Sequence, residues 1–178
     1  KFIVNMWFDK KPSMIAKTLK FAKNDHERGV IMAMRIINNP NPQLKDLQKI
    51  YQLLPESNYF SFLVGREINK LEDWLFTSKY TNYGAAVDLP AREKLSTAQN
   101  RAKDMAYLGQ LKSFLQAIYP QSKGEMRDFL AIAIAHLCFM EENIVEGEIY
   151  LAAISPQANA SILNQKNIEL ALICLKKN

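Results

Sequence analysis

Residues 129–140 read Phe-Leu-Ala-Ile-Ala-Ile-Ala-His-Leu-Cys-Phe-Met, a run whose one polar member is His136. An amphipathic surface helix keeps a polar face. This segment has none, so it has to be enclosed by neighbours on every side. It is also too short to span a bilayer, which takes about 20 apolar residues. The turn residues Glu141, Glu142 and Asn143 follow, then a half-polar helical stretch over 144–154 closed by Ser155 and Pro156. The pattern predicts a helical hairpin whose first member lies deep inside.

A hydrophobic share of 48% over 178 residues is ample for one continuous core. Pro and Gly sit between apolar runs, which suits helices joined by short turns. The chain opens at Lys1 without methionine, and no signal-like apolar segment follows. The expectation is a single helical domain over 1–178 that is a fragment or processed form of a longer chain. Cytoplasmic and periplasmic placements both stay open.

The net charge of +5 is unevenly spread. Residues 1–23 hold six lysines against Asp9 alone, whereas residues 128–148 hold Asp128, Glu141, Glu142, Glu146 and Glu148 with no basic residue. A nucleic-acid binder gathers Lys and Arg on one face or helix. Here they interleave with apolar helix positions, which speaks against a nucleic-acid partner. Cys138 and Cys174 both lie in apolar runs and read as small buried hydrophobes; two cysteines make no disulfide framework.

Residues 1–8 look like the tail of a helix. Pro12 and Ser13 open the next, with Ser13 as N-cap and Ile15, Leu19 and Ala22 along its stripe. Asp25 is expected to cap a third helix bearing Val30, Met34 and Ile37, flanked by Ile31 and Ile36. Asn41 as cap with Pro42 in the first turn starts a fourth carrying Leu44, Leu47, Tyr51 and Leu54. A longer helix over 57–77 buries Phe60, Leu63, Val64, Ile68, Leu71, Trp74 and Leu75, and turns Arg66, Glu67, Asn69, Lys70 and Asp73 to water.

Residues 77–88 are the one sizeable irregular segment, long for a helix–helix link, which usually takes about 2–8 residues. Asp88 and Pro90 then begin a helix reaching Tyr119, marked by Leu95, Ala98, Ala102, Met105, Leu108, Leu111, Leu115 and Ile118. Pro120 stops it. Ser122 and Glu125 have capping-box spacing and launch the buried run. A last helix over 160–175 carries Ile168, Ala171, Leu172 and Leu175, an apolar face without a later element to cover it.

An internal echo appears at an offset of 118: Leu19, Phe21, Gly29, Ile31 and Ile36 fall on Leu137, Phe139, Gly147, Ile149 and Ile154. Three units of about 39 residues lie within the range of paired-helix repeats. Residues 128–156 carry an apolar helix, an acidic turn, Gly147 early in the partner helix, then Tyr150, Ala152, Ala153 and a closing proline. In that order they resemble the tetratricopeptide-like (TPR-like) helical repeat superfamily, although the early Trp-x-x-Leu-Gly signature is absent. The run 66–77 is similar to a stretch found in uncharacterised bacterial proteins of this helical kind. The resemblance implies an all-α, right-handed stack of antiparallel helix pairs, an α-solenoid of about eight or nine helices. It also implies a groove that holds peptides through Lys, Arg and Asn, which makes Arg66, Asn69 and Lys70 a candidate clamp.

Chemistry is thinly signalled. His26 has no second histidine at zinc-ligand spacing, and there is no phosphate loop or nucleophile elbow. His136 reads as a hydrogen-bonded core or groove residue. Glu141, Glu142, Glu146 and Glu148 read as a solvated face. Tyr80, Tyr83 and Gly84 place two amphipathic rings on an irregular segment, either as a contact surface or packed over the core. The sequence thus predicts a non-enzymatic module for protein–protein or protein–peptide contact, with no cofactor, no metal and no membrane span. The alternative is an enzyme or small-molecule receptor with a polar pocket near His136 or the 77–88 loop. A third reading, RNA binding, would need Lys and Arg aligned along one groove.

Overall fold

The computed structural model describes residues 12–87 and 89–177, and every regular element among them is helical. The expected helix over 1–8 and the capping role of Asp88 lie outside the described residues. Eight longer helices carry the fold: α1 (Pro12–Leu19), α2 (Asp25–Ile36), α3 (Leu44–Leu53), α4 (Asn58–Glu72), α5 (Thr97–Ile118), α6 (Gly124–Met140), α7 (Ile144–Ala152) and α8 (Ala160–Lys177). Short helical turns at Asp73–Thr77, Ser78–Tyr80, Pro90–Glu93 and Tyr119–Gln121 join them.

The apolar run organises the molecule as its composition requires. In α6, Leu130, Ala131, Ile132, Ala133, Ile134, Ala135, Leu137, Cys138, Phe139 and Met140 are all buried. Four helices enclose it: α4, α5, α7 and α8 each pack against it. Burying a Leu, Ile or Phe contributes about 1.5–3 kcal/mol, so this helix alone anchors much of the core. It touches two clusters. The larger joins it to Phe60, Val64 and Leu71 of α4 and Leu108, Leu111 and Leu115 of α5. The smaller sets Ala131, Ile132, Ala135 and Phe139 against Leu151 and Ile154 from the α7 side and Ile173 of α8. Among the described residues no helix is long and apolar enough to cross a membrane.

Several helix starts differ from the expectation, each for a physical reason. Ser13 is not a cap, because α1 already begins at Pro12. α2 is capped by Asn24 in place of Asp25: the Asn24 side chain accepts from Glu27 N at 2.9 Å, while Glu27 Oε2 accepts from Lys23 N. Its buried line is Gly29, Ala33 and Ile36, rotated away from Val30, Met34 and Ile37. α3 starts at Leu44 behind Gln43, and not at Asn41–Pro42; Gln43 N donates to Glu67 and Tyr107, and Asn41 O accepts from Lys70. The predicted helix from Asp88 to Tyr119 is broken. A single turn at Pro90–Glu93 precedes α5, whose start is fixed by a capping box between Ser96 and Gln99. The Ser122–Glu125 box does not form, since Ser122 Oγ donates back to Ile118 O at 3.0 Å. Lys123 occupies the N-cap of α6 without a side-chain bond.

The two echoed glycines share one role. A Cβ at Gly147 would stand 2.1 Å from Phe139 Cε1, and one at Gly29 would stand 2.3 Å from Leu54 Cδ1. Each permits a close helix approach. Their aromatic counterparts do not correspond, because Phe139 is buried and Phe21 is among the most exposed side chains.

Candidate functional site

Among the described residues, three ionisable clusters and one exposed loop gather chemistry-bearing side chains. The first cluster lies inside. Glu67 and Lys70 were expected on the wet side of α4, yet Lys70 is only 3% exposed. Its ammonium donates to Glu67 Oε1 at 2.6 Å and to Asn41 O at 2.9 Å. Glu67 Oε2 accepts from Tyr107 Oη at 2.5 Å and from Gln43 N at 3.1 Å. Burial lowers the Lys70 pKa, and the Glu67 carboxylate offsets this only in part. Burial likewise raises that of Tyr107. The network pins residues 41–43 to α4 and α5, and Lys70 lies inside it, away from water. Tyr107→Phe is expected to cost about 1–3 kcal/mol, because Glu67 loses a buried donor; equilibrium urea unfolding checks it.

The second cluster surrounds His136, which α6 presents between α4 and α8. Nδ1 lies 2.8 Å from Glu169 Oε1, and Gln165 Nε2 donates to the same oxygen at 2.8 Å. Nε2 lies 3.0 Å from Glu72 Oε1 in an ion-pair contact that is not aligned as a hydrogen bond. Glu169 is 0% exposed. Burial alone would lower the His136 pKa, but the two carboxylates outweigh it and hold the imidazole up to about 9. The ring is therefore an imidazolium tie at neutral pH, bonded to Glu169 through Nδ1 and facing Glu72 through Nε2.

The third cluster answers the acidic stretch 141–148. Lys112 of α5 pairs with Glu141 and also, at 3.1 Å, with Glu146, while Gln116 donates to Glu146 at 2.7 Å. Burial lowers the Lys112 pKa, but the two carboxylates prevail and raise it. Two of the four glutamates expected to be merely solvated are thus tied to α5. Cys138 lies buried beside this group, and desolvation pushes its thiol up to about 12, so it is an inert core sulfur. Cys174 is exposed, contrary to the expectation of burial.

The exposed loop is the 77–87 segment, and its footing begins in α4. The α-helix ends at Glu72, and Asp73–Thr77 form a π turn that keeps Trp74 and Leu75 buried. Such turns recur at functional sites. The turn aims the Asp73 carboxylate at the returning strand of loop. Asp73 accepts from Val87 N at 2.6 Å, Ala86 N at 3.0 Å and Thr77 Oγ1 at 2.9 Å. Desolvation would raise its pKa, but the amides of Val87 and Ala86 outweigh it and hold the carboxyl below the usual range. Trp74 Nε1 donates to Val87 O at 2.9 Å. Arg92 stacks over the Trp74 ring at 5.0 Å and grips Asp104 with bonds of 2.6 and 2.8 Å. The loop is therefore tied at its base, while Tyr80 and Tyr83 stand 65% and 79% exposed. Phe76 packs against Tyr80 with centroids 5.7 Å apart, and Lys79 reaches Glu142 at 3.4 Å.

The predicted contact residues are accordingly divided. Asn69 is exposed and Arg66 half-buried on α4, Lys70 is interior, and Tyr80 and Tyr83 project from the loop. His26 sits 6.2 Å from the Tyr59 ring beside an open cleft of about 390 Å³ with Phe21, Val30 and Ile31. A second open cleft, about 440 Å³, lies among Lys123, Glu125, Phe129 and Asn159. Neither includes His136. Among the described residues no three His, Cys, Asp or Glu side chains are arranged to hold a metal ion. No protein-family model, curated protein or solved structure matches the chain.

Proposed function

We propose that the protein is a non-catalytic helical module mediating protein–protein or protein–peptide contact, and that the 77–87 loop is its contact element. One observation carries this reading: a loop whose backbone is fixed by Asp73 and Trp74 holds two tyrosines out in water. Fixed aromatic rings give large contact area with little ordering entropy lost on binding. Asn69 and the partly exposed Arg66 extend the polar surface of α4 that precedes the loop. We read the helices as a right-handed, TPR-like stack of antiparallel pairs. Contacts between consecutive helices, α1 with α2, α2 with α3, α3 with α4 and α6 with α7, support it. We assign no chemistry to His136, since both ring nitrogens already face carboxylates.

Affinity capture with the intact protein and with Tyr80→Ala/Tyr83→Ala tests the proposal. Two central aromatic anchors contribute about 2 kcal/mol or more each, so recovery of the partner should fall at least tenfold while helical content stays unchanged. Undiminished recovery by the double variant would remove the loop from the interface.

A further inference from the structure

The outer side of α1 is apolar and basic at once. Ile15 turns inward and is 4% exposed, whereas Met14 and Lys17 lie outward on the other side of the helix. The helical turn carries on past Leu19, with Lys20 N donating to Lys17 O and Phe21 N to Thr18 O. Phe21 therefore continues the outward line, one turn beyond Lys17, and is 81% exposed. Tyr59, in the first turn of α4, is 44% exposed and borders the same open cleft as Phe21, Val30 and Ile31.

The charge beside this apolar surface is unbalanced. Lys17, Lys20 and Lys23 are all exposed, and their ammonium groups make no hydrogen bond or ion pair with any described residue. Residues 12–23 contain no acid. Of the two acids that follow, Asp25 is paired with Arg28 at 2.7 Å, and Glu27 accepts from the backbone N–H of Lys23. An exposed ring set among unpaired lysines is complementary to an anionic bilayer: the ring enters the boundary between headgroups and acyl chains, while the ammonium groups meet lipid phosphates and carboxylates. The half-exposed Tyr59 suits the headgroup level, with its ring on the apolar side and its hydroxyl in water. A peptide groove would enclose Phe21, which at this exposure stands clear of the cleft it borders. A single-stranded nucleic acid is held by stacking platforms along a charged groove, and Met14 offers no such platform.

We propose that the outer side of α1, with Phe21 at its centre, docks the protein on a membrane surface rich in anionic lipid without crossing it. Tyr59 stands in the first turn of α4 and the tyrosine loop follows its last, so the two surfaces lie at opposite ends of that helix. The docking face does not depend on the partner proposed for the loop.

Co-sedimentation of the full chain with vesicles tests it, comparing equimolar phosphatidylcholine and phosphatidylserine with phosphatidylcholine alone. The wild type is expected to bind the anionic vesicles at least tenfold more tightly, and to lose that preference as salt rises. Lys17→Glu/Lys20→Glu/Lys23→Glu should bind them at least tenfold more weakly, since each lysine near an anionic surface contributes about fivefold. Phe21→Ser leaves the charge intact and should weaken binding by about threefold or more, because the inserted ring is gone. Lys94→Glu/Arg101→Glu/Lys103→Glu makes the same charge change at exposed positions before and within α5, and should retain most of the binding. Circular dichroism confirms that each variant stays folded. No preference for the anionic vesicles, an equal loss in the α5 variant, or undiminished binding by Phe21→Ser overturns the proposal. Capture of a single-stranded oligonucleotide in place of the vesicles, with the same dependence on the three lysines, would assign the face to nucleic acid and overturn it as well.

Discussion

Replacing His136 by Leu is expected to cost about 3–5 kcal/mol, the usual loss when one member of a buried ion pair is removed. The loss arises because Glu169 would stay wholly buried with Gln165 as its remaining donor. Replacing both, His136→Leu with Glu169→Leu, should recover most of it, because the stranded charge disappears along with its partner. The tie also fixes a pH dependence. The folded-state pKa, about 9, lies above the ordinary imidazole value of 6.5. The folded state therefore binds the proton more tightly, and this stabilisation is complete below about pH 6.5 and lost as pH rises through 9. Its size is about 3 kcal/mol. Urea unfolding at pH 6 and pH 9.5 measures it, with the doubly leucine-substituted protein as reference. An equal alkaline loss in both proteins would show that His136 does not hold α8 down.

Gly147→Leu is expected to destabilise the fold by about 3 kcal/mol or more through overpacking, since even a Cβ would overlap the Phe139 ring at 2.1 Å. The ring is buried between α6 and α7 and has little room to turn aside. For a chain of this length that corresponds to a fall in Tm of about 6–12 °C. Gly65→Ala is the matched control. It also lies inside a helix, but nothing stands within 4 Å of its β position, so better helix propensity should stabilise by about 0.5–1 kcal/mol. Scanning calorimetry on the two variants should give shifts of opposite sign.

The interior was legible wherever apolar periodicity spoke without competition. Phe60, Leu63, Val64, Ile68, Leu71, Trp74 and Leu75 are all buried as their spacing required, and so is nearly all of the 129–140 run. Helix starts were less legible. Gln43, Ser96 and Lys123 precede helices whose expected starts had been assigned to neighbouring polar residues. Ser96 is fixed by its local box with Gln99 and Ser122 is diverted to Ile118 O, whereas at Gln43 the start depends on a distant bond, from its N–H to Glu67. The polar interior was missed for the same reason: on a helical wheel Glu67 and Lys70 look like surface residues. One signal for the His136 tie was present. His136 is the one polar residue in its run and Glu169 is the only acid in α8, and two such misfits in apolar helices stabilise each other when they meet. In α8 the apolar pattern was visible, yet it marks the outer side, because His136 draws Glu169 inward and rotates Ile168, Leu172 and Leu175 away.

The π turn at Asp73–Thr77 has a geometric corollary. A helix advances about 100° per residue, so one surplus residue within a turn acts as a rotational spacer between the rigid barrel of α4 and everything downstream. Shortening that turn by a single position would leave Phe60 through Leu71 where they are. It would swing the tyrosine-bearing segment through roughly a quarter of a revolution, carrying the carboxylate of Asp73 out of register with the amides it now holds. The direction in which Tyr80 and Tyr83 point is thus encoded in chain length at one spot as much as in the identity of the rings.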